Sequence, residues 1–259
     1  MTPNVLNKKL TIIAGPCAAE SQEQIISCAK ELKKKGIRIM RASLWKPRTR
    51  PGFEGVGTKG IPWLAEATNL GMTVATEILL PKQLTQLIKG ISKIGDLNKV
   101  LLWIGSRNQN HLIQREIAKI IKEKMPKTVK LLIKNQAWVD ERHWLGIVDH
   151  ILGSGISPKR LILCHRGFSS QGQNNPDNFR NLPDFEMAMR VKEKTGLPMM
   201  IDPSHIGGTV ENVFKVMEMA VNFNFDGIMI EVHPKPIEAK SDAKQQITFK
   251  ELNSLLKTI

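Results

Sequence analysis

The chain has 259 residues, of which 41% are hydrophobic and 24% are charged, as in an ordinary globular protein with a large core. It contains neither an apolar run near the roughly 20 residues of a membrane span nor a signal-peptide segment, so we expect a cytoplasmic protein. The three cysteines lack zinc-finger spacing and predict no disulfide framework. The formal net charge of +14 is compatible with nucleic acid, a membrane surface or small phosphorylated substrates, although an aromatic content of 5% argues against a stacking surface for bases.

Apolar runs of strand length recur along the chain. In order, they are LTIIAG, IRIMRAS, MTVATE, VLLWIGS, VKLLIKN, RLILCHRG, PMMIDPS and DGIMIEV. Most are continuous rather than alternating in polarity, which is typical of strands buried on both faces of a parallel sheet. Amphipathic stretches of helical length lie between them, from QEQIISCAKELKKKG after the first run to QQITFKELNSLLKTI at the end, and several of these stretches end in glycine.

This alternation predicts eight βα units, which is the size of a (β/α)₈ TIM barrel. A doubly wound parallel sheet is the alternative. Because no linker, low-complexity segment or repeat of solenoid period interrupts the alternation, we expect residues 1–259 to form a single barrel domain. In such a barrel the active site lies at the C-terminal mouth of the strands.

Polar residues recur at one position relative to the apolar runs, immediately after each run. They are Cys17, Arg41, Lys46, Glu77, Arg107, Lys134, His165, Arg166, Asp202, His205, Glu231 and His233. In a parallel barrel these positions line the C-terminal mouth, whereas surface charges without a function have no reason to recur directly after the strands. The pattern therefore indicates an enzyme.

Four residues at or just beyond predicted strand ends have side chains that bind metals. They are Cys17, His205, Glu231 and Asp242. Each alone has a simpler interpretation, since a cysteine after a strand is usually a core residue and Asp242 can cap the last helix. Together they offer sulfur, nitrogen and oxygen donors to one divalent cation.

The predicted mouth also collects cations. They are Arg41, Lys46, Arg48, Arg107, Lys134 and Arg166. Some of them must pair with acidic neighbours such as Glu77 and Glu231, yet the cations outnumber the local acids. Arginine binds carboxylate or phosphate through two parallel bonds, and lysine adds a movable point charge. We therefore predict small substrates with several anionic groups.

The segment GVGTKG, with Gly55, Gly57 and Gly60, has the spacing of a dinucleotide-binding fingerprint. The fingerprint should begin directly at a strand end, and here LWKPRTRPGFE intervenes. A mobile substrate-binding loop explains the glycines equally well and is the interpretation that we favour over a nicotinamide site.

Longer motifs connect these observations to a known family. They are AGPCAAES, KPRTRPGFEG, IGSRNQN, IKNQ, HRGFSS, DPSHIGG, EVHPKP and KSDAKQQ, between about residues 10 and 250. Jointly and in this order they resemble the 3-deoxy-D-arabino-heptulosonate 7-phosphate (DAHP) synthases. The forms HRGFSS, DPSHIGG and KNQAW are similar to those of members often fused to a chorismate mutase domain. The chain is too short for that domain or for the N-terminal regulatory domain of other members, so we expect neither.

The resemblance implies a reaction and the residues that serve it. The reaction is the condensation of phosphoenolpyruvate with erythrose 4-phosphate to DAHP and phosphate, the first step of the shikimate pathway to the aromatic amino acids. One divalent metal ion, Mn²⁺ or similar, would be held by Cys17, His205, Glu231 and Asp242. Phosphoenolpyruvate would be bound by Arg41, Lys46, Arg107, Lys134 and Arg166. Erythrose 4-phosphate would be held by Arg48 and Thr49. Lys46 and His205 are the candidates for moving protons, because both would border the reacting carbons.

Other functions are compatible with parts of the sequence. The sister family of 3-deoxy-manno-octulosonate 8-phosphate synthases shares GPC, a nearby histidine and EVHP, but typically has a KANR-type segment in place of KPRT, which favours the four-carbon acceptor here. Sialic acid synthases are a more distant alternative. A non-catalytic barrel acting as a partner subunit and a nucleic-acid binder are the alternatives from other classes. As partners we expect the two substrates, further copies of the chain in a dimer or tetramer, and a separate chorismate mutase as a candidate, but neither nucleic acid nor a membrane.

Overall fold

The computed structural model describes residues 10–47 and 51–258. Within these ranges the strands are β1 Thr11–Gly15, β2 Ile39–Arg41, β3 Thr73–Glu77, β4 Val100–Ile104, β5 Lys130–Lys134, β6 Leu161–His165, β7 Phe168–Ser169, β8 Asn181–Leu182, β9 Met199–Ile201 and β10 Gly227–Glu231. Eight of them pair in parallel and close into a barrel in the order β1-β10-β9-β6-β5-β4-β3-β2. The other two, β7 and β8, pair with each other as an antiparallel hairpin.

Helices follow the strands in regular alternation. They are α1 Gln22–Lys34, α2 Ile61–Asn69, α3 Pro81–Ile94, α4 His111–Lys124, α5 Glu141–Leu152, α6 Phe185–Thr195, α7 Pro203–Gly207, α8 Val210–Ala220 and α9 Phe249–Leu256. The predicted (β/α)₈ barrel is therefore confirmed, with the short α7 as an extra helix directly after β9. Neither α7 nor the β7–β8 hairpin was predicted from the sequence. No helix in the described ranges is long and apolar enough to cross a membrane.

Closure of the barrel excludes the doubly wound alternative, in which the sheet would keep two free edges. The first and last barrel strands pair along their whole length, from Thr11 opposite Gly227 to Gly15 opposite Glu231. All eight strands run in the same direction, so the residues that follow them gather at one rim.

Local sequence signals set the helix ends. The side chains of Ser21, Asn110, Asp140 and Asp184 each accept a hydrogen bond from a backbone N–H in the first turn of the helix that follows. Helix α6 ends at Gly196, which adopts a left-handed conformation with φ of 64°. These caps satisfy backbone groups that would otherwise lack partners at the helix ends.

The core has two layers because successive strand residues face opposite sides of the barrel wall. Small and medium apolar side chains such as Ile13, Leu132 and Met229 fill the inside of the barrel. A larger cluster, which includes Leu102, Leu131 and Ile230, lies between the strands and the helices. This arrangement explains the continuous apolar runs, since each strand is buried on both faces.

Candidate active site

A cavity of about 540 Å³ opens at the C-terminal rim of the barrel. Its wall includes five of the predicted substrate-binding cations, namely Arg41, Lys46, Arg107, Lys134 and Arg166. The other two predicted substrate-binding residues, Arg48 and Thr49, lie outside the described residues. The cavity therefore collects cations from β2, β4, β5 and β6 or from the loops that directly follow them.

Three of the four predicted metal ligands meet beside this cavity, whose wall includes Asp242. Potential ligand atoms of Cys17, Glu231 and Asp242 all lie within 4.8 Å of one another. His205 does not belong to this mutual group, but its Nε2 is 3.8 Å from Glu231 Oε1. Cys17 follows β1 and Glu231 ends β10, so the pairing of these two strands brings the residues together.

Cys17 lies at the centre of a polar contact chain. Its Sγ donates a hydrogen bond to Asp242 Oδ2 at 3.1 Å and accepts one from Lys46 Nζ at 2.9 Å. Burial, followed by the nearby Glu231 carboxylate, raises the pKa of the Cys17 thiol. The thiol is therefore protonated at neutral pH in the metal-free protein, and a cation that binds to this sulfur must displace the proton.

Glu231 is a fully buried carboxylate whose two oxygens have different partners. Its Oε2 accepts a hydrogen bond from Gln245 Nε2 at 2.7 Å, and its Oε1 lies 2.9 Å from Arg41 Nη2. Burial alone would raise the pKa of Glu231, but the Arg41 charge and its cationic neighbours hold it below the ordinary value. No donor in the described part of the chain is aligned for a hydrogen bond to Oε1, which leaves this oxygen as a potential ligand.

His205 is held by Asp202, the first residue of the DPSHIGG motif. Asp202 Oδ1 accepts a hydrogen bond from the His205 backbone N–H at 3.1 Å, and its Oδ2 lies 2.9 Å from His205 Nδ1. Burial lowers the pKa of His205 to about 4, so the imidazole is neutral at pH 7. With Nδ1 facing Asp202, the ring turns Nε2 toward Glu231, as a carboxylate-oriented metal ligand does.

The floor of the cavity is built on Trp103, whose indole lies beneath two cations. The Arg41 guanidinium carbon is 5.1 Å from the ring centroid, and Lys134 Nζ is 5.8 Å from it. Arg41 Nε and Nη1 are buried and have no hydrogen-bond partner among the described residues. Such unsatisfied donors are costly and point to an anionic ligand. In the sequence Trp103 lies within the apolar run VLLWIGS, and only the structure shows it beneath the cations.

Arg166 gives a second indication of an anionic ligand. Its Nη1 donates to Asn181 Oδ1 at 2.6 Å, so the guanidinium is fixed at the cavity wall. Burial lowers the pKa of Arg166 to about 10; Asp202 opposes this shift, whereas the charges of Arg180 and Arg107 add to it. A bound phosphate or carboxylate would offset this crowding of positive charge.

Arg180 is the site residue that sequence analysis missed. It lines the cavity and donates from Nη1 to Asp242 Oδ1 at 2.9 Å. It precedes β8 of the hairpin, at the end of a turn-rich segment, whereas the predicted mouth residues all came directly after apolar runs. The residue that it contacts, Asp242, has a left-handed backbone with φ of 48°, which is unusual for a residue other than glycine.

His165 was expected at the mouth, and the structure corrects this. Its ring is fully buried on the outer side of the barrel wall, in contact with Trp144, Phe168 and Phe185. Its Nε2 accepts a hydrogen bond from the Asp184 backbone N–H at 3.0 Å. The preceding residue, Cys164, faces the barrel interior, so strand alternation turns His165 toward the helices.

This position predicts a pH effect on stability. Burial, reinforced by the charge of Arg166, lowers the pKa of His165 to about 3, so the ring is neutral when folded. An unfolded histidine titrates near pH 6.5 and takes up a proton below it, so this contribution to stability is present above pH 6.5 and lost as the pH falls toward 3. Between pH 7 and pH 5, His165 alone is expected to lower the free energy of unfolding by about 2 kcal/mol.

Urea denaturation at the two pH values measures this loss. His165→Gln is expected to lose about 2 kcal/mol less than the wild-type chain over the same interval. His150→Gln is the matched control, because His150 is exposed on α5 and should leave the loss unchanged. Equal losses in the wild-type chain and in His165→Gln would contradict the assignment of a neutral buried ring.

Comparisons with known proteins agree with the fold and indicate the family. The family model described as the DAHP synthetase I family matches residues 6–259. Over 258 residues the chain is 32% identical to a phospho-2-dehydro-3-deoxyheptonate aldolase of Thermotoga maritima, covering 96% of this chain and 69% of that protein. A 2-dehydro-3-deoxyphosphooctonate aldolase of Nitrobacter hamburgensis is 24% identical over 98% of this chain and 88% of its own length.

Solved structures show the same relationship in three dimensions. The crystal structure of a T. maritima phospho-2-dehydro-3-deoxyheptonate aldolase (DAHP synthase) matches with a TM-score of 0.82 and 31% identity, over 97% of this chain and 68% of that one. A truncated form of 3-deoxy-D-arabino-heptulosonate 7-phosphate synthase from T. maritima matches with a TM-score of 0.79 and 28% identity, over 97% of this chain and 86% of that one. With a family model that matches nearly the whole chain and a barrel of the same architecture, this chain belongs to the DAHP synthetase I family.

Proposed function

We propose that this barrel condenses phosphoenolpyruvate with erythrose 4-phosphate and water to give DAHP and inorganic phosphate. The observation that carries the proposal is the meeting of two groups at one cavity of about 540 Å³: seven cations from the described residues on its wall, and a set of sulfur and carboxylate ligands beside it that reaches the wall at Asp242. Two multiply charged phosphate esters need such a cation cluster, and an aldehyde acceptor benefits from a Lewis acid beside it.

The reaction makes one carbon–carbon bond and breaks one carbon–oxygen bond. Carbon 3 of phosphoenolpyruvate forms a bond with the aldehyde carbon of the sugar phosphate, whose carbonyl oxygen takes up a proton. The oxygen of a water molecule adds to carbon 2. The bond between carbon 2 and the bridging oxygen then breaks and phosphate leaves; the two protons of the added water go to the former aldehyde oxygen and to the phosphate, so that carbon 2 becomes a ketone. The protein must hold two anions in attack geometry, which can contribute on the order of 7–11 kcal/mol.

We assign phosphoenolpyruvate to the cations over and around Trp103. The unpaired Nε and Nη1 of Arg41 and the crowded guanidinium of Arg166 support this assignment. Lys134 lies on the same indole and contacts Asp202. Arg107 lies at the exposed rim and donates to the carbonyl of Pro47, a residue of the KPRT segment. We assign the acceptor phosphate to Arg48 and Thr49 of that segment, as the family resemblance implies.

The four predicted metal ligands fit one divalent cation, Mn²⁺ or similar. Cys17, His205, Glu231 and Asp242 would hold it, and their sulfur, nitrogen and oxygen donors suit a borderline divalent ion. The fit is supported by the buried Glu231 Oε1, which has no aligned donor among the described residues, and by the 4.8 Å spread of the three-residue group. When bound, such an ion polarises a carbonyl oxygen or lowers the pKa of water.

Lys46 and His205 both border the cavity and were both predicted to move protons. A His205 that binds metal through Nε2, with Nδ1 against Asp202, has no free nitrogen for this task. Lys46 keeps that capacity, because its ammonium contacts only Cys17 Sγ at 2.9 Å and Asp242 Oδ2 at 3.8 Å among the partners that the structure shows. We therefore assign metal binding to His205 and proton transfer near the reacting carbons to Lys46.

Acceptor choice tests the proposal against the sister reaction. Loss of phosphoenolpyruvate is measured with Mn²⁺ present and with either erythrose 4-phosphate or arabinose 5-phosphate. We expect kcat/KM to be at least about 100-fold higher with the four-carbon sugar, because a site built for one phosphate position loses bonds with a longer acceptor. Comparable values for both sugars would move the chain to the octulosonate reaction, and no turnover with either would favour a non-catalytic barrel.

The expected oligomer and the associated chorismate mutase stay predictions of the resemblance. Light scattering of the purified chain measures the first, with a dimer or tetramer as the expected mass. Co-elution with a separately purified mutase measures the second.

A further inference from the structure

The β7–β8 hairpin reaches the mouth of the barrel at Arg180 and Asn181. These two consecutive residues contact separate parts of the candidate site. Arg180 Nη1 donates to Asp242 Oδ1 at 2.9 Å and to Gln245 Oε1 at 2.6 Å. Gln245 in turn donates from Nε2 to Glu231 Oε2 at 2.7 Å. One guanidinium is thus connected to two of the proposed metal ligands.

The backbone at Arg180 is held in place from several sides. Asn181 accepts from Arg166 Nη1 at 2.6 Å and donates from Nδ2 to the His205 carbonyl at 2.6 Å. The Arg180 backbone N–H donates to the Gly207 carbonyl at 3.3 Å. These bonds join the hairpin to the end of β6 and to α7, so the Arg180 side chain starts from a fixed position.

Two glycines make this close approach possible. A Cβ added to Gly167 would lie 2.8 Å from Asn181 Cβ, and a Cβ added to Gly208 would lie 2.5 Å from Arg180 Cβ. Both distances are shorter than two carbon atoms tolerate, and both glycines have a left-handed backbone, with φ of 78° in each. The chain around the mouth is therefore shaped to receive the hairpin.

Asp242 needs such a partner more than the other ligands do. It lies on a loop between short 3₁₀ turns, with a left-handed backbone at φ of 48°. Such a conformation persists when surrounding contacts over-determine it. The bond from Arg180 fixes one carboxylate oxygen, and the other oxygen is left to face Cys17 Sγ at 3.1 Å.

We propose that Arg180 is a positioning residue for the metal site: it orients Asp242 directly and Glu231 through Gln245, so that their free oxygens converge with Cys17. This inference rests on the proposed function, because it takes the three-residue group as a metal site. Arg180 itself does not touch the metal, since a guanidinium is always protonated and has no lone pair to offer.

Charge and geometry predict opposite effects, which makes the role testable. By Coulomb's law alone, removal of a cation beside Asp242 would strengthen the binding of a divalent cation. If Arg180 acts by orienting its neighbours, removal weakens binding, and loss of an outer-shell partner typically costs 10–100-fold in metal affinity. Arg180→Lys separates the two further, because it keeps the charge but has no planar fork.

The experiment is Mn²⁺ titration of the metal-stripped chain by calorimetry, without substrates. We expect Arg180→Met to weaken Mn²⁺ binding about 10–100-fold relative to the wild-type chain and Arg180→Lys to give an intermediate value. Arg190→Met is the matched control, because it also removes one ion pair, that of Arg190 on α6 with Glu141, but Arg190 does not line the cavity. It should keep wild-type affinity. Thermal unfolding of each variant checks that the barrel is folded. Substitution of Arg180 should not prevent folding, because its side chain is 38% exposed.

The outcomes separate this inference from the proposed function. Unchanged or tighter Mn²⁺ binding in Arg180→Met, with a wild-type chain that binds the ion, would overturn the positioning role alone. A wild-type chain that binds no divalent metal would overturn the proposed metal site and this inference with it. Equal weakening in Arg180→Met and Arg190→Met would also overturn the inference, because the effect would then not depend on the contact of Arg180 with Asp242 and Gln245.

Discussion

Replacing Cys17 by alanine is expected to lower kcat at least about 10³-fold and to abolish stoichiometric Mn²⁺ binding, while the barrel stays folded. The sulfur is the only thiol among the three clustered ligand groups. A metal ion contributes several kcal/mol to stabilising charge in the transition state, and about 4 kcal/mol corresponds to a 10³-fold change in rate. Steady-state kinetics with Mn²⁺ added to a metal-stripped sample measures the effect.

Cys28→Ala is the matched control for this substitution. Cys28 is as fully buried as Cys17, but it lies on α1 in the layer between strands and helices. Both variants lose one buried sulfur, so a similar small change in stability is expected, and only Cys17→Ala should lose activity. Full activity of the wild-type chain after treatment with a chelator would refute the metal requirement.

Metal binding at Cys17 should also depend on pH. The thiol is protonated in the metal-free protein, because burial and the Glu231 carboxylate raise its pKa. Binding therefore releases this proton, and the affinity for Mn²⁺ rises with pH. Calorimetric titration of the metal-stripped wild-type chain with Mn²⁺ at several pH values measures this dependence.

Replacing Arg41 by methionine is expected to lower the free energy of unfolding of the metal-free protein by about 3–5 kcal/mol. Arg41 is 1% exposed and pairs with the fully buried Glu231 at 2.9 Å. Its removal leaves a buried carboxylate without its nearest cation, which is costly in a region of low dielectric constant. The variant should also bind phosphoenolpyruvate poorly, because it loses the unpaired Nε and Nη1 donors.

Added Mn²⁺ should restore much of the stability that Arg41→Met loses. A divalent cation beside Glu231 supplies the positive charge that the variant lacks, and any ligand that binds only the folded state stabilises it. Chemical denaturation with and without Mn²⁺ measures the recovery.

Arg160→Met provides the matched control. Arg160 is also a buried arginine, but its guanidinium donates to the backbone carbonyls of Val129, Ile121 and Pro126 rather than to a carboxylate. Its loss should destabilise the chain, and Mn²⁺ should stabilise Arg160→Met no more than it stabilises the wild-type chain, so that the deficit relative to the wild-type chain persists. Equal recovery in both variants would show that the metal acts elsewhere than at Glu231.

The fold could be predicted from the sequence because its signals are local. All eight barrel strands coincide with the apolar runs, most of which are continuous, and helix ends coincide with caps such as Ser21 and Asp140. Parallel strands buried on both faces need no alternating pattern, so their number and spacing already indicate a barrel. The β7–β8 hairpin escaped prediction because its strands have two residues each and no apolar run.

The site could be predicted in part for the same reason. Residues directly after the strands must lie at the C-terminal mouth once the strands are parallel, and five predicted cations do line the cavity. The orientation of each side chain is a different matter. His165 and Arg166 are neighbours in the chain, yet one lies among aromatic rings outside the barrel and the other faces the cavity.

By itself, the sequence determined the family, the barrel and the residues available to its mouth. The tertiary structure decided which of them meet. Cys17 and Asp242 are 225 positions apart and come within 3.1 Å only because β1 closes onto β10. Arg180 reaches Asp242 only because two glycines admit the hairpin to the mouth. Contacts of this kind depend on closure and on close backbone approach, and neither leaves a periodic signal in a single chain.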